Sequence, residues 1–270
     1  MKKYILPAVA AVCMLSCGDS AEERAGKLLQ QATAAYETAD YQSAKILIDS
    51  IRTACPAAIE ARRSALTLMR DVEMAEQQRS LSYFNEVLAA LYAKRDSMLP
   101  RFSYEKDERF QSEGSYVVPS QSSDLNARNS FLCARVTESG AAYITSMYRG
   151  RQIGHNSVKV SAAGSFVSCD SAFSSRTYSN LGTNNERLDF VYGNDGGIVD
   201  FITAMQGEKI DIELAGSKGS YKYRLRPADA KAIADIASLA NVLKSITEYE
   251  NMAAEAQRHI DFIQKRKSAE

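Results

Sequence analysis

The histidines, cysteines and acidic residues of this chain are its main sources of metal ligands, bases and nucleophiles. There are two histidines and five cysteines among 270 residues. His155 falls in a predicted turn, and His259 lies beside an apolar stripe near the carboxyl terminus. A metal site needs several ligands at compatible spacing, and neither histidine has such neighbours. We therefore predict no metal ligands, and we interpret both histidines as packing or surface residues.

Nucleophilic catalysis and nucleotide binding lack their usual sequence signatures. Serine is abundant, but no G-x-S-x-G segment occurs to aim a hydroxyl at a substrate. The glycine-rich residues 193–197 lack both the lysine of a phosphate-binding loop and the spacing of a dinucleotide-binding turn. We interpret this segment as a tight turn. The sequence predicts no catalytic residue, no cofactor-binding residue and no bound cofactor, and so a protein that is not an enzyme.

Cys133 and Cys169 both lie in alternating segments that are typical of strands. In an oxidising compartment these two residues could form a disulfide, provided that their Cβ atoms meet. Spacing along the sequence does not show that they meet, so two free buried thiols remain the default. Cys55 is interpreted as a small buried apolar residue.

The amino-terminal residues 1–16 have the composition of an export signal. Lys2 and Lys3 precede an apolar stretch, residues 4–15, which is too short to span a bilayer as a stable anchor. These features predict a signal peptide over residues 1–16.

The apolar stretch ends in Met14-Leu15-Ser16-Cys17. This segment resembles the lipobox of bacterial lipoproteins, with Met14 in place of the usual leucine and Leu15 in place of the usual small residue. The resemblance implies acylation of Cys17, for example with palmitate, and a short tether over residues 17–24. It also implies a membrane-anchored protein of the bacterial cell envelope, in the outer membrane, facing either the periplasm or the cell surface. An ordinary cleaved signal peptide with a chance cysteine is the alternative.

Residues 25–56 have the spacing of a helical hairpin. Small and apolar residues recur on one face of each half, at Leu28, Ala32, Tyr36, Ala44 and Ile48. This pattern is similar to one tetratricopeptide repeat, a unit of about 34 residues, although Leu28 replaces the family's aromatic residue and Ala32 its glycine. No second full repeat is visible. The resemblance therefore implies one hairpin packed on a neighbouring helix, with a peptide-binding groove as the alternative.

Residues 57–99 and 228–270 contain neither glycine nor proline and predict two long helices. The second has an unbroken apolar seam at alternating steps of three and four residues: Leu239, Val242, Ile246, Tyr249, Ala253, Ala256, Ile260 and Ile263. The first has a stripe at Leu66, Met69 and Val72, then a polar interruption at residues 76–80. Its matching seam begins only at residue 81. We predict an antiparallel, coiled-coil-like helix pair, with self-association between two copies as the alternative.

Between the long helices the apolar and polar residues alternate, which is typical of strands. Residues 209–214 and 221–225 predict a β-hairpin joined by a glycine-containing loop. Residues 196–205 predict a short helix capped by Asp195. Further strands are predicted at 116–118, 131–136, 142–148, 157–161, 165–168 and 188–192, whereas the polar segments 104–129 and 170–186 are predicted to be loops or mobile edges.

The predicted fold class is α+β. An N-terminal helical region (residues 25–99) and a closing helix (227–270) that packs on it bracket a mainly antiparallel β-sheet head (100–226). The order of elements over residues 131–239 is similar to an uncharacterised α+β module of bacterial envelope proteins. That resemblance implies a fold and no activity.

The chain balances 33 basic residues against 33 acidic residues, and no clustered basic face indicates a nucleic-acid partner. The leading hypothesis is a lipid-anchored, non-enzymatic interaction or structural module whose helical stalk presents the head. Its partner would be another protein, or a second copy bound through the helices. The alternative is a surface lipoprotein that binds a saccharide or another small ligand through the head. That alternative predicts an exposed aromatic or apolar cleft on the head.

Overall fold

The structure is a computed structural model that describes residues 20–109, 111–121, 129–180 and 182–269. In this part of the chain the fold is α+β, as predicted. The helices are α1 (Ala21–Glu37), α2 (Tyr41–Ala54), α3 (Ile59–Met98), α4 (Ile198–Ala204) and α5 (Pro227–Ser268). The strands are β1 (Ser103–Glu105), β2 (Ser115–Val117), β3 (Phe131–Thr137), β4 (Ala142–Gly150), β5 (His155–Ala162), β6 (Ser165–Cys169), β7 (Ser174–Asn180), β8 (Thr183–Val191), β9 (Asp211–Gly216) and β10 (Gly219–Arg224).

Two compact units divide the described chain. One contains residues 20–82 and 255–269, and the other contains residues 83–254. The second unit is therefore larger than the predicted head, since it includes the last part of α3 and the first part of α5. The reason is that apolar side chains of both helices, among them Leu88 and Ile233, belong to the same core as the sheets.

In the first unit, α1 and α2 form the predicted helical hairpin. Ser20 and Glu23 cap α1 reciprocally, and the Asp40 side chain accepts a hydrogen bond from a backbone N–H in the first turn of α2. Ala32 and Ala44 are fully buried, and their small side chains allow the helices to pack closely. The rest of this core comprises Ala25, Ile48, Ile51, Cys55, Ala58, Ala61, Ala65 and Val72.

The first apolar stripe predicted on α3 is partly wrong. Leu66 is exposed, whereas Ala61, Ala65 and Val72 form the buried face of the helix. Leu66 is adjacent to Ala65 in sequence, and adjacent residues point about 100° apart on a helix. The predicted polar interruption at residues 76–80 does not end α3, which continues to Met98.

In the second unit, α3 and α5 run antiparallel, as predicted. Phe84 packs edge-on against Tyr249 with ring centroids 5.9 Å apart, and beyond the end of α3 Arg101 lies 3.5 Å from Asp235. In the first unit, Lys267 near the end of α5 forms an ion pair with Asp71 of α3. The predicted seam of α5 is confirmed, since these six members are buried: Leu239, Val242, Ile246, Ala256, Ile260 and Ile263.

The strands form two antiparallel sheets in the second unit. One sheet has six strands in the order β1-β2-β3-β4-β8-β7, and the other has four in the order β10-β9-β5-β6. The chain passes from the first sheet to the second between β4 and β5, and it reaches β9 from β8 through α4. The predicted β-hairpin is confirmed as β9 and β10, with a turn of only two residues, Ser217 and Lys218.

One core joins both sheets, α4 and α5. It contains Ile144 and Phe190 of the six-stranded sheet, Ile212 of the four-stranded sheet and Ile233 of α5. The turn between β3 and β4 lies directly on α5. A Cβ at Gly140 would lie 2.4 Å from the backbone nitrogen of Lys244. The φ of Gly140, +90°, also favours glycine.

Three further predictions have an outcome here. The short helix is confirmed as α4, and the Asp195 carboxylate accepts a hydrogen bond from the Val199 N–H at 2.8 Å. The sequence leaves residues 170–186 open between a loop and a sheet edge, and the structure shows an edge, since β7 and the start of β8 occupy the segment. Polar β7 is an edge strand with little burial, so apolar alternation does not mark it. The predicted turn at His155 is wrong, since this residue begins β5.

Candidate functional site

The residues that the sequence singled out do not meet in one site. Cys17, the predicted acylation site, lies outside the described residues. Cys133 and Cys169 are free thiols, so the disulfide that they could have formed is absent. The physical reason is their placement, since Cys133 belongs to the six-stranded sheet and Cys169 to the edge strand of the other sheet. His259 is exposed on α5, and His155 is buried.

A Ser–His pair that the sequence analysis missed lies between β4 and β5. Ser146 Oγ is 2.9 Å from His155 Nε2, and His155 Nδ1 is 3.4 Å from the carbonyl oxygen of Ala215. The neutral ring thus donates from Nδ1 and accepts the Ser146 hydroxyl at Nε2. Burial lowers the pKa of His155, against the opposing effects of the Ala215 hydrogen bond and the Glu186 charge, so the ring is neutral at pH 7.

The distance between Ser146 and His155 is that of a nucleophile and its base. Ser146 is fully buried, however, and His155 is only 5% exposed, so no open path leads a substrate to the hydroxyl. A backbone carbonyl also stands where an orienting carboxylate would be expected. We interpret the pair as a structural contact within the core.

Glu186 completes this buried network on the inner face of β8. Its carboxylate accepts hydrogen bonds from the Ile153 N–H at 2.9 Å, from Asn184 Nδ2 at 2.9 Å and from the backbone N–H of His155. Two of the three donors belong to the backbone that crosses from β4 to β5. Glu186 therefore fixes the crossing between the two sheets. We call Ser146, His155 and Glu186 the buried corner.

A second polar network surrounds Asp189 on the outer face of the same sheet. Arg187 donates to both carboxylate oxygens of Asp189, at 2.9 and 2.8 Å. Thr145 Oγ1 donates to Asp189 Oδ1 at 2.5 Å, and an Arg135 nitrogen lies 3.7 Å from the same oxygen. These side chains meet because strand register places Thr145 opposite Asp189. The result is one carboxylate held by two arginines and a hydroxyl.

Asp189 and Arg187 are both held in their charged forms. Burial alone would raise the pKa of Asp189, but the hydrogen bonds from Arg187 and Thr145 and the two arginine charges lower it below its ordinary value. Burial would likewise lower the pKa of Arg187, and its hydrogen bond and charge interaction with Asp189 raise that pKa instead. Groups that transfer protons have pKa values close to the working pH. The pKa values of Asp189 and Arg187 are instead shifted away from neutral pH.

The Asp189 network forms the floor of an open cleft of about 570 Å³. On the rim, Phe173 is 73% exposed and Arg176 is exposed. The Arg135 guanidinium lies 5.0 Å from the ring centroid of Tyr143, and that ring lies 6.3 Å from the ring of Phe173. We call this site the arginine cleft and define it by Arg135, Phe173, Arg176, Arg187 and Asp189.

A smaller pocket of about 270 Å³ lies beside the edge strand β10. Tyr221 and Tyr223 of β10 line it with near-parallel rings 5.9 Å apart. Arg149 of β4 lines another part of the pocket. Arg226, just before α5, also lines it and donates two hydrogen bonds to Asp229, at 2.6 and 2.9 Å. We call this site the tyrosine pocket and define it by these five residues.

The described residues contain neither a grouped metal site nor a helix that could span a membrane. Within residues 20–109, 111–121, 129–180 and 182–269, no three His, Cys, Asp or Glu side chains are grouped as metal ligands would be. In these same ranges, no helix combines the length and the apolar character needed to cross a bilayer.

No protein-family model, curated protein or solved structure matches this chain. The proposed role of each site therefore rests on the geometry of that site.

The arginine cleft was not predicted, although the sequence contains part of the pattern that forms it. Cys133 and Arg135 alternate with apolar residues in β3, and Arg187 and Asp189 do so in β8, which places polar side chains on one face of each strand. The pairing of β4 with β8 supplied the rest. The register of β4 against β8 depends on residues far apart in sequence, so the alternation within one strand does not predict it.

Proposed function

We propose that the protein is a lipid-anchored component of the bacterial cell envelope that acts as a non-enzymatic interaction module. The arginine cleft is the surface that meets its protein partner. The anchor rests on the lipobox-like segment that ends at Cys17, and the proposed location is the outer membrane. The observation that carries the binding role is the arginine cleft, in which three arginines and an exposed phenylalanine share one open sheet face.

The composition of the cleft supports protein recognition. Arginine and aromatic side chains are enriched at the energetic centres of protein interfaces. The floor is already ordered, because Arg187 is held by Asp189 and Arg135 lies over Tyr143. Pre-ordered side chains lose less conformational entropy when a partner binds. Arg176 and Phe173 remain exposed for direct contact.

The electrostatics of the cleft favour binding over catalysis. Asp189 and Arg187 are both held in their charged forms, as their shifted pKa values indicate. A fixed pattern of charge gives orientation and specificity to an encounter with a complementary surface. It does not supply a group that exchanges protons near neutral pH.

The second candidate function is the binding of a small ligand by the head. The tyrosine pocket favours it, because it is a small concave site with aromatic walls and several polar groups.

The interaction proposal can be tested by placing a photo-crosslinking residue at position 173 in envelope-bound protein. Phe166 offers a matched control, since it is 61% exposed on strand β6 of the other sheet. We expect a discrete protein adduct from position 173, a much weaker one from position 166, and loss of the first adduct on Arg176→Glu. Equal adducts from both positions, or an adduct unaffected by Arg176→Glu, would count against the arginine cleft.

The anchor is tested separately by Cys17→Ala. Without the acylated residue the protein should leave the membrane fraction, because acyl chains on that cysteine are the proposed attachment. Fractionation after a salt wash measures this. Continued retention of Cys17→Ala in washed membranes would refute the lipidation proposal.

A further inference from the structure

The tyrosine pocket contains two buried polar atoms that have no hydrogen-bond partner in the structure. They are Nε of Arg149 and the hydroxyl oxygen of Tyr223. Buried polar groups are nearly always hydrogen-bonded, so each exception calls for a physical explanation such as a bound molecule. An unsatisfied buried group also costs free energy, and the cost is larger when the group is charged. Two such atoms in the lining of one small pocket indicate a missing hydrogen-bond acceptor.

The charged side chains that line the pocket indicate the charge of that acceptor. Arg226 is bonded twice to Asp229, and Arg224 is bonded twice to Asp211, at 2.6 and 3.1 Å. Arg149 has no carboxylate partner among the described residues. One positive charge in the pocket is therefore not neutralised, and it matches a ligand group with one negative charge.

Tyr223 can act as the second donor. Burial raises the pKa of its hydroxyl, and the nearby charge of Asp229 adds to the rise, so the group keeps its proton. A protonated hydroxyl beside an unpaired guanidinium can donate to an oxygen of a bound anion. The paired Asp229 disfavours a doubly charged anion in the same small space.

We propose that the tyrosine pocket binds a monocarboxylate, whose oxygens accept hydrogen bonds from Arg149 Nε and the Tyr223 hydroxyl. This inference rests on the second candidate function above and is independent of the arginine cleft. The pocket volume of about 270 Å³ suits a small acid, or the acidic end of a longer molecule that continues into solvent. The ligand class is thus a carboxylic acid with a small polar or apolar body.

The first test compares the wild type with Tyr223→Phe by thermal unfolding. Without ligand, Tyr223→Phe should be at least as stable as the wild type, because the substitution removes an unsatisfied buried hydroxyl. Acetate and glucuronate, each added at constant ionic strength, should stabilise the wild type, whereas glucose should not. Their affinity for Tyr223→Phe should fall about ten- to a hundredfold, the typical loss for one hydrogen bond to a charged group.

The second test observes Arg149 directly by nuclear magnetic resonance of the arginine Nε–Hε groups. The signal that disappears in Arg149→Lys should shift when acetate or glucuronate is added to the wild type. Tyr178→Phe is the matched control, since Tyr178 lies on the exposed edge strand β7. It should leave both the shift and the affinity unchanged.

Several outcomes would overturn the carboxylate assignment. One is a Tyr223→Phe variant that is less stable than the wild type without ligand, which would mean that water already satisfies the hydroxyl. Another is an Arg149 signal that responds to neither acid. Tighter binding of sulfate, which is a dianion at neutral pH, than of glucuronate would contradict the single negative charge. The crosslink at position 173 does not depend on any of these results, so failure of the pocket and failure of the cleft remain distinguishable.

Discussion

The same two strands, β4 and β8, contribute to the buried corner on one face and to the Asp189 network under the arginine cleft on the other. Thr145 and Ser146 are consecutive residues of β4 and point to opposite faces, as successive strand residues do. Each hydroxyl lies in a network with an acidic residue of β8, Asp189 for Thr145 and Glu186 for Ser146. The two networks therefore share residue types and strands, and they differ in partners and in access to solvent.

The partners of the two carboxylates explain the difference in role. Glu186 accepts two backbone N–H groups, whose positions the fold determines. Asp189 is paired with arginine side chains, and these remain about one-third exposed, at 31% for Arg187 and 34% for Arg135. The first carboxylate stabilises the crossing between the sheets. The second organises a charged surface that another molecule can reach.

The largest expected effect is loss of stability on Glu186→Ala. The substitution leaves two buried backbone N–H groups and the half-buried Asn184 amide without an acceptor, and we expect a loss of roughly 3 kcal/mol or more in the free energy of unfolding. Urea unfolding at pH 7 measures it. Glu186→Gln keeps one acceptor oxygen and should lose clearly less. A loss under about 1 kcal/mol for Glu186→Ala would contradict a structural role for the buried corner.

A smaller effect is expected for Asp189→Asn, because Arg187 can still reach water. We expect a loss of about 1–3 kcal/mol at pH 7. The pKa of Asp189 is lowered in the folded state, so its stabilisation is present above the unfolded value, near 3.9, and is lost as the pH falls through the folded value. The difference between Asp189→Asn and the wild type should therefore shrink as the pH falls below about 4. A difference independent of pH in that window would show that the carboxylate charge is not responsible.

The smallest expected effect is a pH dependence caused by His155. The pKa of His155 is lowered in the folded state, so the unfolded chain binds the proton more readily between the folded value and about 6.5. Stability contributed by the neutral ring is thus complete above pH 6.5 and declines below it, by at most about 1.4 kcal/mol per pH unit.

Urea unfolding between pH 5 and pH 7, compared with His155→Gln, isolates this contribution. The variant should lack the His155 part of the slope. His259→Gln is the matched control because this histidine is exposed, and it should unfold like the wild type. A variant His155→Gln with the full wild-type slope would show that the buried corner does not titrate.

The helices were predictable from sequence in more detail than either network. The seam of α5, from Leu239 to Ile263, depends only on spacing within one segment, and its burial follows from helix geometry. The cleft depends on the register of β4 against β8, which no local pattern specifies. For residues 170–186 the sequence predicts only a loop or an edge, because the polar residues of β7 lie at a sheet edge, where burial does not select apolar side chains. The sequence predicts a turn at His155 because its neighbour Asn156 favours turns.

The Cys133 thiol, close to the arginine cleft, has a consequence for measuring the motion of the head. Burial raises its pKa to about 12, although the charges of Arg187 and Arg135 oppose the rise. Because the thiolate is the reactive form, alkylating reagents and disulfides should react very slowly with the folded head at neutral pH. Cys133 is partly exposed, so the raised pKa of its thiol is what slows the reaction in the folded head. Opening of the six-stranded sheet would restore an ordinary thiol pKa, and a rise in the alkylation rate of this cysteine would therefore report local unfolding.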